Sequence, residues 1–600
     1  MPYQPSQFVT CPKCNGVGKT PAGLVCNECG GIGLGTFIKN DFLYWGYDMT
    51  PAKIIIRQSQ VIFDNIIDII FLVLGAGGII SLIWWLAQNA VAENNKIYLG
   101  ALISFWGATS NLILYFWAGL LLLLFSYYRF QRRNDKYPPV KILTYKEKEK
   151  LARTRQEIPN NWRELKIFKT KIDVSRAYSA DLLKLIEKSY AYAMLLGQAE
   201  VLPAHLLFTA INESAADKKN KALRQLKEIL GRLGVYRGKI SPKLEQILGG
   251  VRESKKTILN FSKELKQSLI EAYVIAQENG HGRIGMDDVI IPLASNGELI
   301  KRILAELAVS TEQVELSSLW QSVGERLRQL NKKTFKRRHK SLKEKMVRAT
   351  GAVATPVLDY FCTDLTAEAL FSKQIIFIGR ERELSEIFKA LAEKNTKIAL
   401  VGKAGAGRVD FIKNLSQLII CKEAPGKLLA RRLLLLDLTK FNSGGHSIDL
   451  KQKIAVLALE LTKANGILFI PEASSQLVQA IHGSGGQASF IVNSNEAVSG
   501  WNNINFFEPS KDELRRMLVA AAAAAENDKA VNFNYLALEV IAAAAQNYQS
   551  DEALPGRAIK LLQKIVAAEN ADKIITAEFA AKVLSDEIKV PYTKILKEIR

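Results

Sequence analysis

Four cysteines fall at positions 11, 14, 26 and 29 of this 600-residue chain. They make two Cys-x-x-Cys pairs, and each pair opens a Cys-x-x-Cys-x-Gly-x-Gly stretch, at Cys11 and again at Cys26. Two thiolate pairs that converge on one point form the tetrahedral sulfur site that zinc prefers. Gly16, Gly18, Gly31 and Gly33 let the chain turn tightly around each pair. One structural zinc held by Cys11, Cys14, Cys26 and Cys29 is therefore expected, and the spacing argues against a disulfide framework. Cys362 and Cys421 stand alone and read as buried or incidental thiols.

A second stretch, "VGKAGAGRVDF" from Val401 to Phe411, carries Gly402, Gly405 and Gly407. That is the spacing of a turn whose backbone N–H groups cradle phosphate. A working loop ends in lysine and then a hydroxyl residue, which binds Mg²⁺. This one ends in Arg408 and Val409. Its context is nonetheless right: a strand "KIALV" leads in and a helix "VDFIKNLSQLII" leads out.

The elements that carry these residues differ along the chain. From Ile69 to Ala87 no charge interrupts "IIFLVLGAGGIISLIWWLA", which matches the roughly 20 residues of a membrane-spanning helix. A second uncharged run, Ile97 to Tyr128, is longer than one span needs, so it should tilt or start late. Trp84, Trp85, Tyr127 and Tyr128 lie near span ends, as interfacial aromatics do. Gly75, Ala76, Gly77 and Gly78 offer a small-residue patch to the second helix. Basic residues precede the first span and follow the second, while the loop from Gln88 to Lys96 is nearly neutral. Both termini are therefore expected in the cytoplasm, with a multi-pass chain in the cell (inner) membrane. The first long apolar segment starts about 60 residues in, so a secretory signal is not expected.

Beyond the spans, "YAYAMLLGQAEVLPAHLLFTA" from Tyr190 aligns without a gap with "YVIAQENGHGRIGMDDVIIPL" from Tyr273, a period of 83 residues. A helix, a glycine break and a second apolar helix, used twice, describe a pseudo-two-fold helical domain. His205 and His281 lack a second ligand at metal spacing and read as core or capping residues. Between Glu325 and Arg348 stand eleven Lys/Arg against two Glu, read as a basic linker without the interleaved aromatics of a single-strand nucleic-acid binder.

Three resemblances follow from these motifs. The cysteine repeats resemble the zinc-binding region of DnaJ-type co-chaperones. The 83-residue repeat resembles the amino-terminal domain of Clp ATPases, which docks substrates and adaptors and does no chemistry. From Leu358 onward, Asp364-Leu365-Thr366, Gly379-Arg380-Glu381-Arg382-Glu383, the glycine loop, "GILFIPEA", "FFEPSKDELRRML" and "LPGRAIKLLQKIV" follow the order of the first Clp ATPase module. The resemblance implies an AAA+ α/β core with a helical lid. It also implies roles. Gly402, Gly405, Gly407, Arg408, Val409, Asn493 and Arg557 occupy nucleotide-binding positions. Glu472 stands where the family keeps its water-activating carboxylate. Pro471 replaces the Mg²⁺-holding aspartate, Ser499-Gly500-Trp501 the arginine-finger stretch, and no pore aromatic follows "LDLTKFNSGG". A second ATPase module is not expected.

The expected fold is multidomain: a cysteine knuckle (8–36), a two-span transmembrane hairpin (61–130), a juxtamembrane linker (131–174), an all-α Clp amino-terminal-type repeat domain (175–320), a basic linker (321–352), a degenerate AAA+ core (353–510) and its lid (511–590). The expected function is a membrane-anchored pseudo-ATPase. It would scaffold protein clients, adaptors or an active Clp ATPase in protein quality control, and could self-associate. Weak binding of ATP or ADP stays open. Two alternatives stand beside it. One is an active, atypical AAA+ unfoldase for membrane-associated turnover. The other, from the net charge of +22, is a module for anionic lipid or nucleic acid, with nucleic acid disfavoured. No His-Glu-x-x-His occurs and no triad is evident among five histidines, so nothing points to a protease.

Overall fold

The computed structural model describes residues 7–20, 24–38, 41–47, 49–91, 111–135, 139–140, 170–217, 220–249, 259–350, 354–370, 376, 378–393, 396–421, 423–429, 431–443, 450–483, 488–529, 531–548, 552–568 and 574–597. The loop from Gln88 to Lys96, read as the outside connection, falls largely outside them.

Strands β1 (Phe8–Thr10), β2 (Leu34–Ile38) and β3 (Asp41–Tyr44) pair antiparallel around the cysteines. Strand β4 (Thr170–Asp173) then joins β3 in parallel. The apolar helices lie between β3 and β4 in sequence. One sheet thus gathers the segments that enter and leave the helical hairpin. The segment read as a juxtamembrane linker ends in this sheet.

Helix α1 (Pro51–Val91) packs along α2 (Asn111–Asp135). Two helical stretches, Pro51–Gln88 and Asn111–Arg129, are long and apolar enough to cross a membrane. Their large apolar side chains, such as Ile69, Val73, Leu121 and Leu124, point outward, unlike those of a soluble core. The close approach falls on glycines. A Cβ on Gly78 would sit 2.7 Å from Gly119 Cα, and one on Gly75 2.5 Å from Leu123 Cγ, whereas Gly77 faces open space. At 1.5 Å per residue α1 is about 60 Å long, about twice a hydrocarbon core. Its first turns therefore extend past the apolar stretch. There Arg129 pairs with Asp64 at 2.8 Å and Asp68 at 3.1 Å. Closer to the sheet, the carboxylate of Glu187 accepts from Arg57 Nε (3.1 Å) and Tyr47 Oη (2.8 Å).

The repeat domain holds α3 (Ala180–Leu195), α4 (Pro203–Ala216), α5 (Lys221–Arg232), α6 (Arg237–Gly249), α7 (Lys263–Asn279), α8 (Met286–Asn296) and α9 (Glu298–Glu306). The 83-residue period reaches individual atoms. Ser179 caps α3 by accepting from Leu182 N, and Ser262 caps α7 from Leu265 N. His205 Nδ1 accepts from Leu202 N at 2.9 Å, and Asp288 Oδ2 from Gly285 N at 3.0 Å. The Val201–Phe261 pairing of strands β5 (Glu200–Val201) and β6 (Asn260–Phe261) is matched by a bridge from Tyr178 to Ile284. Burial pulls the imidazole of His205 down to about 4 against its backbone hydrogen bond, so it caps as a neutral ring. Trp45, just past β3, sits between the related residues Tyr178 (5.2 Å) and Phe261 (6.0 Å) and is buried in the domain's core with Leu34, Leu43 and Met49.

Helix α10 (Thr311–Thr350) runs through the stretch read as a basic linker. Trp320, Val323 and Leu327 on it pack in one core with Leu514, Leu538 and Leu562, in the segment read as the lid. Glu526 of the lid ties the joint. It takes a forked ion pair from Arg232 (2.7 and 2.9 Å) and the indole N–H of Trp320 (3.1 Å). The α/β core has strands β7 (Cys362–Asp364), β8 (Lys397–Val401), β9 (Arg432–Leu436), β10 (Gly466–Ile470), β11 (Ser489–Ser494) and β12 (Asn502–Asn505) in the order β12-β8-β11-β10-β9-β7. All pairs are parallel except β7 with β9.

Candidate functional site

The four cysteines come together and are buried, with one sulfur from each within 4.8 Å of the others. Cys14 Sγ and Cys29 Sγ lie 3.7 Å apart, and no disulfide links the six thiols. The two halves are built alike. Gly18 N donates to Cys14 Sγ at 3.2 Å and Gly33 N to Cys29 Sγ at 3.3 Å. Gly16, Gly18, Gly31 and Gly33 all have positive φ. A Cβ on Gly18 would collide with Gly31 O at 2.2 Å, and one on Gly33 with Gly16 O at 2.3 Å. Paired N–H donors stabilise sulfur in its charged form. Four thiolates at this spacing fit a tetrahedral soft metal. Burial pushes the metal-free Cys29 thiol up to about 12, so binding would have to displace a proton there.

The glycine loop lies at the carboxyl edge of the α/β sheet, where open α/β sheets bind ligands. It joins β8 to α11 (Arg408–Ile420), with Gly405 and Gly407 in left-handed backbone conformations. Asn493 on β11 and Pro471 and Glu472 after β10 share that edge, and Ala473 N donates to Asn493 O at 3.4 Å. Asn493 Oδ1 is buried without a hydrogen-bond partner, as is Arg557 Nε.

Three contacts shape the loop's surroundings. The guanidinium of Arg408 folds back and donates to Leu400 O (3.1 Å) and Ser494 O (2.6 Å). The lid closes on the loop backbone. Ala553 N donates to Ala404 O and Gly556 N to Gly405 O, both at 2.9 Å, just before α14 (Gly556–Ala568), which follows α12 (Lys511–Lys529) and α13 (Tyr535–Asn547). A Cβ on Gly556 would lie 2.6 Å from Gly405 O, so only glycine permits this approach. Finally, Trp501 is buried in the core, and its indole N–H donates to His482 Nε2 at 2.8 Å. The loop's backbone suits phosphate. The side chains present do not suit Mg²⁺-nucleotide, because Val409 and Pro471 carry no metal-binding oxygen.

Sequence reasoning missed one cluster. His281, Asp287 and Asp288 meet at the start of α8, with His281 Nδ1 2.8 Å from Asp288 Oδ1 and 3.8 Å from Asp287 Oδ2. Burial and the Asp288 charge raise Asp287 to about 7. Burial opposes the charge of His281, but the Asp288 hydrogen bond and both carboxylates outweigh it and hold the ring up at about 9. Both folded values lie above the unfolded ones. The stabilisation from His281 is therefore full below its unfolded value and lost as pH rises through about 9. Ionising the buried Asp287 carboxyl carries a cost that builds as pH rises toward about 7. The thermal midpoint is expected to fall between pH 6 and pH 9. His281→Gln should flatten the upper part of that slope in thermal melts at fixed ionic strength.

Comparison with known proteins agrees with the repeat domain. Residues 177–307 match the Clp repeat (R) N-terminal domain. The chain is 24% identical over 416 residues to the chaperone protein ClpB of Oceanobacillus iheyensis, covering 64% of this chain and 48% of that one. It is 24% identical over 453 residues to ClpC/MecB of Bacillus subtilis, a negative regulator of genetic competence, covering 69% and 51%. It is 34% identical over 143 residues to chloroplastic ClpD of Arabidopsis thaliana, covering 23% and 15%. Among solved structures, the extended Hsp104:casein complex of S. cerevisiae matches at 22% identity and a TM-score of 0.36, covering 40% of this chain and 46% of that one. The chain is similar to Clp-type chaperones and Clp ATP-binding proteins. It spans about half the length of the curated ClpB and ClpC relatives it matches.

Proposed function

We propose that this protein is a membrane-anchored Clp-type scaffold whose AAA+ module holds a shape and does not turn over nucleotide. It presents the repeat domain to protein clients, adaptors or an active Clp partner at the cytosolic face. The observation that carries this reading is the loop. The positions that by resemblance would hold the metal are Val409 and Pro471, and the cation beside them, Arg408, is hydrogen-bonded to Leu400 O and Ser494 O. Anchoring rests on the two exposed apolar helices, and a common side for both flanks rests on the β3–β4 pairing. One zinc, held by the four cysteines, completes the reading and has a structural role.

Two experiments test it. Reporter fusions at residue 50, residue 92 and the carboxyl end are expected to place the first and last in the cytoplasm and the middle one outside. An external carboxyl end overturns the two-span reading. Crosslinking in cells is expected to capture protein partners equally well with Glu472→Gln, and to lose them when 177–307 is deleted. Loss of partners in Glu472→Gln would favour the active-unfoldase reading instead.

A further inference from the structure

Lys266 is a charged side chain at a position that is apolar in the other repeat. It lies in the first turn of α7 and is only 9% exposed. One period earlier, on α3, the same position is Leu183, which packs against the hydrophobic core. What distinguishes the two helices is the neighbour: α7 packs against β2 of the cysteine unit. Lys266 Nζ donates to Val17 O at 2.5 Å and Gly16 O at 3.2 Å, in the turn that follows Cys14. Among the described residues no carboxylate lies within ion-pair distance of it.

A buried ammonium is costly unless a negative charge compensates it. Two carbonyls satisfy hydrogen bonds but do not cancel the charge. The missing charge has an obvious source. A divalent ion held by four thiolates keeps a net negative charge, and it would sit inside the same turn that Lys266 grips. Burial works against the charge of this ammonium and Lys19 adds to that, while Cys14, Cys29 and Glu200, the last beyond ion-pair distance, favour it.

We propose that Lys266 is the counter-charge of the cysteine–metal site, a positioning residue that makes metal binding at residues 11–29 and docking of that unit on the repeat domain a single event. This rests on the zinc reading above. Each repeat would supply its own half of the arrangement: α3 receives the membrane-side segment through Glu187, and α7 receives the metal unit through Lys266.

The test uses the full-length protein in detergent, loaded with one zinc, and follows transfer of the metal to a competing chelator. Lys266→Met is expected to lose zinc about 10–100-fold more readily, as removal of an outer-shell partner does. Lys266→Gln separates charge from hydrogen bonding, because its amide still donates but is neutral. It is expected to behave like Lys266→Met, and Lys266→Arg like the unmodified protein. Unchanged zinc retention in Lys266→Gln, whatever its melting temperature, overturns the proposal and leaves Lys266 a plain hydrogen-bonding clamp. A zinc-free unmodified protein would overturn the zinc reading itself, and that content is measured first.

Discussion

ATP added to the purified full-length protein is expected to yield phosphate no faster than the protein-free background, with or without Mg²⁺. The two positions that by resemblance would hold the metal are Val409, in the first turn of α11, and Pro471, just after β10. Neither carries a side-chain oxygen. The cation that should reach the outer phosphates, Arg408, is committed to Leu400 O and Ser494 O. The stretch that should offer an arginine to a neighbouring subunit is instead anchored by buried Trp501 and its bond to His482. Losing even one preorganised donor of this kind typically costs roughly 10²–10³ in rate. On the scaffold reading proposed above, several lost together leave Glu472 nothing to complete. Nor should ATP stabilise the fold. A ligand at 1,000 times its Kd adds about 4 kcal/mol, so tight binding would raise the melting temperature visibly. Little or no shift is expected at millimolar ATP. Restoring Arg408→Lys, Val409→Thr and Pro471→Asp together should bring back Mg-ATP binding, and any single restoration should not. Steady turnover by the unmodified protein that is abolished in Glu472→Gln would sink the scaffold reading.

Much of this could be read from the residues because the relevant signals are local. Thiol spacing, a glycine turn between strand and helix, and an uninterrupted apolar run each state their chemistry within about 20 residues. The 83-residue repeat was legible because two gap-free segments share one pattern, but its paired caps at Ser179 and Ser262 emerged only from the structure. What the sequence hid depends on contacts between distant segments. Nothing near Thr170 announces that β4 pairs with β3 across the apolar hairpin. Nothing in "YWGY" says that Trp45 lies between Tyr178 and Phe261. The charge run after Glu325 drew attention to solvent, while Trp320, Val323 and Leu327 on the same helix fill the lid's core. Arg408 was legible as a substitution, but the carbonyls it binds lie on β8 and β11, and only the folded sheet brings them to it. The lid's grip on Gly405 was equally invisible, since Ala553 and Gly556 lie far along the chain.

Cys26→Ser is expected to remove the zinc and, with it, part of the stability of the repeat domain, although residue 26 lies about 150 residues before α3 in sequence. The reason is that the cysteine unit is not an appendage. Its strand β2 carries Leu34, β3 carries Leu43, and Trp45 and Met49 follow; all four are buried in the repeat domain's own core. The turns that hold those strands close through the sulfur site: Cys11 N bonds to Gly33 O and Cys26 N to Gly18 O, both within the ring of cysteines. Without metal, three buried thiols remain with a hydroxyl that is too short and too hard to complete a soft tetrahedral site. The sheet should then loosen, and four core side chains lose their backing. A loss of more than about 2 kcal/mol is expected, or about 5 °C or more in melting temperature for a unit of this size. Metal analysis reads the first effect, and a calorimetric melt reads the second. Chelation of the unmodified protein should reproduce both, and added zinc should reverse them. If Cys26→Ser lost its zinc but melted like the parent, the cysteine unit would be a passenger on the repeat domain, and its strands would be held by packing alone.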